Sequence, residues 1–148
     1  MGFLRSLFGP AAPPDIDMLR SRGDVSRLIA ATSHQSADIQ QKAIEALKSL
    51  GAAATARVLQ DACSHKRAVR LNAGKVAERI GWDGETLEDK YHVLVAQENW
   101  GAIRRLSGKA VPILVAALNH RDRAIEASAA ATLASLRDPS CVDALALE

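Results

Sequence analysis

The feature that most constrains the fold of this chain is an internal repeat of roughly 30 residues. Three segments, residues 24–51, 52–81 and 110–138, share apolar and small residues at matching positions. The aligned sets are Val25, Ala56 and Val111; Leu28, Leu59 and Leu114; Ala31, Ala62 and Ala117; Ile39, Val69 and Ile125; Ala43, Ala73 and Ala129; and Leu50, Ile80 and Leu136. Repeats of this length form arrays in which each unit contacts its neighbours.

Each repeat predicts a pair of helices. In the first repeat, Leu28 and Ala31 mark one helix, and Ile39, Ala43 and Leu47 mark a second at helical spacing. Gly51 and Gly81 follow second helices, where a left-handed C-terminal residue is wanted. Pro112 falls in the first turn of its helix, where its missing N–H costs nothing.

Composition agrees with helices throughout the chain. The 148 residues are 48% hydrophobic and only 3% aromatic, and much of the apolar fraction is alanine and leucine, which favour helices. Small residues in the second helices, Ala43, Ala73 and Ala129, allow close approach of neighbouring backbones. The sequence therefore predicts an all-α fold, a right-handed α-solenoid of stacked helix pairs.

Three segments of the chain, "AVPILVAAL", "AIEASAAATLASL" and "DPSCVDAL", carry a resemblance to a known family. They resemble HEAT repeats of the short bacterial type, related to phycobilisome lyase subunits. The resemblance implies a HEAT-like or armadillo-like solenoid over residues 15–148, with a half-repeat at residues 139–148. Residues 1–14 are predicted to be a mobile tail, and the apolar turn containing Phe3 and Phe8 is expected to dock on the body of the protein or on a partner, with membrane contact disfavoured.

An insert at residues 82–109 breaks the period. It resembles an insert of such proteins in which a tyrosine-bearing helix and a short tryptophan-bearing helix precede a repeat. It carries Trp82, Tyr91 and Trp100, which either fill the widened gap between repeats or form an aromatic contact patch. The insert is acidic and the second repeat is basic, so we expect part of this charge to be neutralised internally.

The triplet His120-Arg121-Asp122 spells the start of a protein-kinase catalytic loop. A kinase also needs an asparagine five residues after the aspartate, where this chain has Ala127, and a glycine-rich loop, which is missing. We instead place the triplet in a turn between paired helices. His34, His65 and His120 are expected to occupy one position in three such turns, too far apart to share a metal ion.

A partner is expected to bind along the second helices. Each second helix has an aligned Ile or Val. The residue directly after it and the residue two positions before it are expected to face the partner. Together they predict a mixed-charge surface for an acidic or extended protein segment. Its residues are Gln40, Arg67, Arg70, Arg123 and Glu126. The alternative is an ordinary solvated helix face.

No catalytic motif, metal-ligand spacing or cofactor fingerprint occurs in the sequence. The predicted function is a non-catalytic scaffold or adaptor that binds another protein in the cytoplasm. One alternative is an accessory subunit of a phycobilin-lyase-like enzyme. A second is a nucleic-acid-binding helical repeat, which the net charge of +2 disfavours. The exposed half-repeat would favour self-association.

Overall fold

The computed structural model describes residues 12–136, and this part of the chain is all-helical with no strand. The all-α prediction is therefore confirmed. The helices are α1 (Ile16–Ser21), α2 (Val25–Ala31), α3 (Ala37–Leu50), α4 (Ala52–Ala62), α5 (Arg67–Ile80), α6 (Leu87–Ala96), α7 (Trp100–Arg105), α8 (Val111–Leu118) and α9 (Arg123–Ser135), with a 3-10 turn at Ser107–Ala110. Most of the predicted tail and the whole predicted half-repeat 139–148 lie outside the described residues.

Side-chain caps fix where several helices begin. The carboxylates of Asp15, Asp24 and Asp122 and the amide of Asn99 each accept a hydrogen bond from a backbone N–H in the first turn. Thr86 opens α6 with a reciprocal capping box, in which Asp89 accepts from the Thr86 N–H and donates its own N–H to the threonine hydroxyl. Each such cap stabilises its helix by about 1 kcal/mol.

Two glycines and a proline lie at helix boundaries as predicted, but only Gly81 has the predicted left-handed conformation, since Gly51 has ψ −121°. Gly51 and Gly81 both have positive φ, at 58° and 73°, after the last residues of α3 and α5. Gly81 is left-handed, and the Trp82 N–H reaches back 2.9 Å to the Ala77 carbonyl. Pro112 lies in the first turn of α8. The α5 end is therefore a Schellman-type stop.

The chain divides into two compact units at Gly51–Ala52. Unit 1, as described, holds α1, α2 and α3, each packed against the other two. Helix α1 was not predicted from the repeat pattern. Its buried face consists of Ile16 and Leu19, a spacing of three behind the Asp15 cap.

Unit 2 holds α4 to α9. Helix α4 packs on α5 and α6, α6 also packs on α5 and α7, and α9 packs on α7 and α8. Its main core cluster consists of Tyr91, Leu94, Val95, Ile103, Ala110, Ile113, Leu114, Ala117, Leu118, Ile125, Ala129 and Leu133. The insert therefore contributes two helices, α6 and α7, to the same core as the third repeat.

The predicted small positions are buried in all three second helices. Ala43, Ala73 and Ala129 are 0%, 1% and 0% exposed. In the first helices the alignment needs one correction. Leu59 is only partly buried, whereas Val58 is fully buried, so Val58 is the counterpart of Leu28.

Candidate functional site

The turns before α3, α5 and α9 share one hydrogen-bond pattern. Two positions before the helix cap, a side chain accepts the N–H of the cap residue itself. In two turns this acceptor is a histidine Nδ1, of His34 and of His120, each at 3.0 Å. In the third turn it is the Ser64 Oγ, at 3.2 Å from the Lys66 nitrogen. The equivalent of His34 and His120 is thus Ser64, and the expectation for His65 is wrong by one residue.

In two of these turns, a side chain from the following helix also hydrogen-bonds to a backbone carbonyl of the turn. Four residues after the cap, the Gln40 Nε2 donates to the His34 carbonyl at 2.6 Å. The Arg70 guanidinium donates to the Ser64 carbonyl at 3.1 Å in the same way. Glu126 occupies the matching position in α9, but a carboxylate has no proton to donate.

Arg70 makes a further link that the sequence did not predict. Its side chain is 0% exposed, and its terminal nitrogen lies 2.6 Å from the Asp122 carboxylate, across 52 residues of chain. Its Nε is buried without a hydrogen-bond partner. Arg70 therefore does not lie on an exposed face, and its prediction as a partner-binding residue is wrong.

Asp122 serves two helices at once. One carboxylate oxygen accepts the Ala124 N–H at 3.0 Å as the cap of α9, and the other accepts from Arg70. These two hydrogen bonds, that of Ala124 first, lower the pKa of Asp122 below its ordinary 3.8. The aspartate of the kinase-like triplet is thus an ionised helix cap bound to a buried arginine.

The environment of His120 follows from the same cluster. Burial lowers its pKa below the ordinary 6.5, and the Arg70 charge acts in the same direction, while Asp122 opposes them. The neutral ring is the form that accepts the Asp122 N–H through Nδ1. The triplet lies in a turn between α8 and α9, as predicted.

Arg67, one turn before Arg70 on α5, has a different environment. It is 61% exposed and forms a bidentate pair with Glu98 of the insert, at 3.1 and 3.2 Å. Glu98 holds a positive φ of 52°, a conformation uncommon outside glycine. This pair joins the basic repeat to the acidic insert, as expected from their charges.

The other residues of the predicted contact surface are at least partly accessible. Arg123 is exposed, and Gln40 and Glu126 are partly buried. Gln40 belongs to unit 1, whereas Arg67, Arg123 and Glu126 belong to unit 2. A partner contact by these four residues stays a prediction.

The three aromatic residues of the insert do not form one exposed patch. Tyr91 is 8% exposed and belongs to the core, and Trp100 packs against the same core cluster. Trp82 is partly buried, and its Nε1 is buried without a hydrogen-bond partner. Tyr91 and Trp100 therefore fill space within the insert region and do not form a contact patch.

An open groove in unit 2 was not predicted from the sequence. It measures about 530 Å³. Its walls come from α6 and α8, and its lining residues are Leu87, Glu88, Tyr91, His92, Pro112, Ile113 and Ala116. Leu87 is 47% exposed, one of two large apolar side chains so exposed in the described part of the chain. The sequence signal was Leu87 itself, an apolar residue directly after the Thr86 cap.

A second groove, of about 470 Å³, lies in unit 1 beside α1 and α2. Met18, 40% exposed, and His34 line it together with Arg27. Arg27 is engaged with Asp24 at 3.6 Å. The groove therefore combines apolar and charged residues.

Within residues 12–136, no three histidine, cysteine, aspartate or glutamate side chains are arranged to hold a metal ion. Over the same residues, no helix has the length and apolarity needed to span a bilayer. Comparison of the chain with protein-family models, with curated proteins and with solved structures gave no match.

Proposed function

We propose that this chain is a non-catalytic scaffold that binds another protein, built as a right-handed α-solenoid of HEAT-like repeats. The single observation that carries the binding role is the open groove between α6 and α8. Its mouth carries Leu87, which is 47% exposed, while most other large apolar side chains within residues 12–136 are buried or partly buried. Grooves with an apolar floor accept the apolar face of a partner segment in known complexes.

The solenoid part of the proposal is supported by the three related turns. The same acceptor position precedes α3, α5 and α9, and the same small buried residue follows in each helix. Repeated helix pairs are expected to show the same turn hydrogen bond and the same buried small residue in each unit.

The non-catalytic part is supported by the positions of the ionisable residues. Asp122, whose pKa is lowered, and Arg70, whose side chain is fully buried, are bound to each other and to backbone groups. Groups paired in this way stabilise the turns before α5 and α9.

Exposed Arg67 remains available for a partner in spite of its pairing with Glu98. Exposed ion pairs stabilise a fold by only about 0.2–1 kcal/mol, so a partner carboxylate can replace Glu98 at small cost. Arg123, exposed on α9, carries a second accessible positive charge.

The test is affinity capture from a nuclease-treated native lysate, read by mass spectrometry. The wild-type chain should retain one or a few proteins in near-stoichiometric amounts. The variant Arg67→Glu/Arg123→Glu leaves the buried Arg70 intact and reports whether the arginine surface takes part. Absence of any stoichiometric partner of the folded wild-type chain contradicts the scaffold proposal.

A further inference from the structure

The two walls of the groove differ in charge. The α8 wall, with Pro112, Ile113 and Ala116, comes from a helix that has no charged residue, "VPILVAAL". The α6 wall contributes Glu88, whose side chain is 83% exposed at the rim. Among the described lining residues there is one carboxylate and no lysine or arginine.

The carboxylate of Glu88 is only weakly engaged within the protein. The nearest partner given by the structure is the His92 Nε2, at 3.9 Å, beyond hydrogen-bond distance. Lys90, the lysine of the same helix, is bound to Asp83 at 3.2 Å instead. Glu88 therefore presents an accessible negative charge beside an apolar floor.

The floor is preformed. Tyr91 and Ile113 are 8% and 5% exposed, so the core fixes their positions and only a small part of each side chain reaches the groove. The volume of about 530 Å³ lies within the usual range of ligand sites, roughly 300–1,000 Å³. A groove between two helices with an apolar floor takes the apolar stripe of a third helix, through side chains one turn apart.

We propose that the groove between α6 and α8 binds an amphipathic helix of a partner protein. The apolar side chains of that helix contact Tyr91 and Ile113, and a lysine or arginine of the helix pairs with Glu88. This inference rests on the proposed scaffold function and names the chemistry of its partner. Charge complementarity selects a basic helix over an acidic one, because the described lining residues include the Glu88 carboxylate and no lysine or arginine.

The probe is a synthetic helix of leucine and lysine, about 14 residues long, with its leucines on one face. A matched peptide has glutamate in place of every lysine. The protein carries a net charge of +2, so overall charge favours the acidic peptide, and a preference for the basic one reports the local site. Binding is measured by fluorescence anisotropy with labelled peptides.

We expect the wild-type protein to bind the lysine peptide about fivefold more tightly than the glutamate peptide. The variant Glu88→Lys should reverse this preference. The control Glu78→Lys makes the same charge change at an exposed residue of α5 that does not line the groove, and should leave the preference unchanged.

Leu87→Asp should weaken binding of both peptides, that of the glutamate peptide by about tenfold or more, because it removes the apolar side chain at the mouth of the groove and adds a second carboxylate that attracts only the lysine peptide. Met18→Asp, at the other exposed apolar side chain, should not affect it. Circular dichroism and the thermal midpoint confirm that each variant is folded.

The inference is overturned if neither peptide binds, or if Glu88→Lys leaves the preference as in the wild type. It is also overturned if the wild-type protein self-associates in sedimentation and Leu87→Asp abolishes that, since a second copy then fills the groove. Capture of a stoichiometric partner alongside any of these results would retain the scaffold function and remove only the groove proposal.

Discussion

The turn in unit 1 and its counterpart in unit 2 have the same backbone geometry but side chains of different charge. In unit 1, neutral Gln40 closes the turn on the His34 carbonyl, six residues away. In unit 2, Arg70 makes the same contact to Ser64 and then reaches Asp122 in a different helix pair. The amide of Gln40 makes the contact within its own turn. The longer guanidinium of Arg70 has more donors, so it makes the same contact and also binds a residue distant in the sequence.

A second difference lies four residues further along these helices. Unit 1 has Ile44, 2% exposed, where unit 2 has Gly74. A Cβ on Gly74 would lie 2.8 Å from the backbone of Ala96 and Gln97, and the Gln97 side chain donates to the Gly74 carbonyl at 3.2 Å. In unit 2 the insert backbone occupies the space that a side chain fills in unit 1.

The largest expected effect is that of Arg70→Ala. It leaves the Asp122 carboxylate and the Ser64 carbonyl without their buried partner, and we expect the free energy of unfolding to fall by about 3 kcal/mol. The two tryptophans of the chain both lie in unit 2, so tryptophan fluorescence during guanidinium unfolding measures this unit. A loss below about 1 kcal/mol would mean that the buried pair does not hold unit 2 together.

Gly74→Ala is expected to destabilise unit 2 by about 1–3 kcal/mol, since the added methyl pushes α5 and the end of α6 apart. The sign is informative, because alanine stabilises an ordinary helix interior by about 1 kcal/mol relative to glycine. The same unfolding measurement applies. A stabilised variant would show that the insert does not lie against α5.

Gln40→Ala should have a smaller effect, about 1 kcal/mol, through loss of one neutral hydrogen bond to the His34 carbonyl. Circular dichroism follows this change, because unit 1 has no tryptophan. If Gln40→Ala lowers the free energy of unfolding as much as Arg70→Ala does, the proposed difference between the two turns is wrong.

The smallest expected effect concerns how the free energy of unfolding depends on pH. The pKa of His120 is lower in the folded protein than its ordinary 6.5, so the unfolded chain binds the proton first. Stability is therefore full above about pH 7 and falls as the pH drops through 6.5 and then through the lower folded pKa. The lowered pKa of Asp122 adds a further loss of stability as the pH falls through its ordinary 3.8 and on toward the lower pKa of the folded state.

The His120 contribution is isolated with His120→Asn, whose side-chain oxygen can accept the Asp122 N–H without titrating in this range. We expect the unfolding free energy of this variant to vary less between pH 7.5 and 5.5 than that of the wild type. An NMR titration that places the His120 pKa at or above 6.5 would contradict the proposed environment.

Much of the helical pattern was predictable because each signal is local. The apolar spacing around Leu28 and Ala43, the glycines after α3 and α5, and Pro112 in α8 each act within a turn or two of their own position. Helix α1 was missed because six residues are too short for a periodic signal, although Asp15 marked its start.

The burial of Arg70 was also present in the sequence but was not recognised. Arg70, Ala73, Gly74 and Ala77 follow the spacing of one helix face, and all four are buried. Its partner was not predictable, because Asp122 is 52 residues away and only the tertiary arrangement brings them together. The groove was beyond prediction for the same reason, since α6 and α8 build it jointly.

The most direct measurement is site-specific photo-crosslinking in a native lysate. A photoreactive residue is placed at Ala116, exposed in the groove, and in a separate variant at Glu78, exposed outside it. A protein-binding scaffold that uses this groove should crosslink one defined partner from position 116, and an excess of the lysine peptide should prevent it. Crosslinking of a partner from position 78 alone, or from neither position, contradicts binding at the groove.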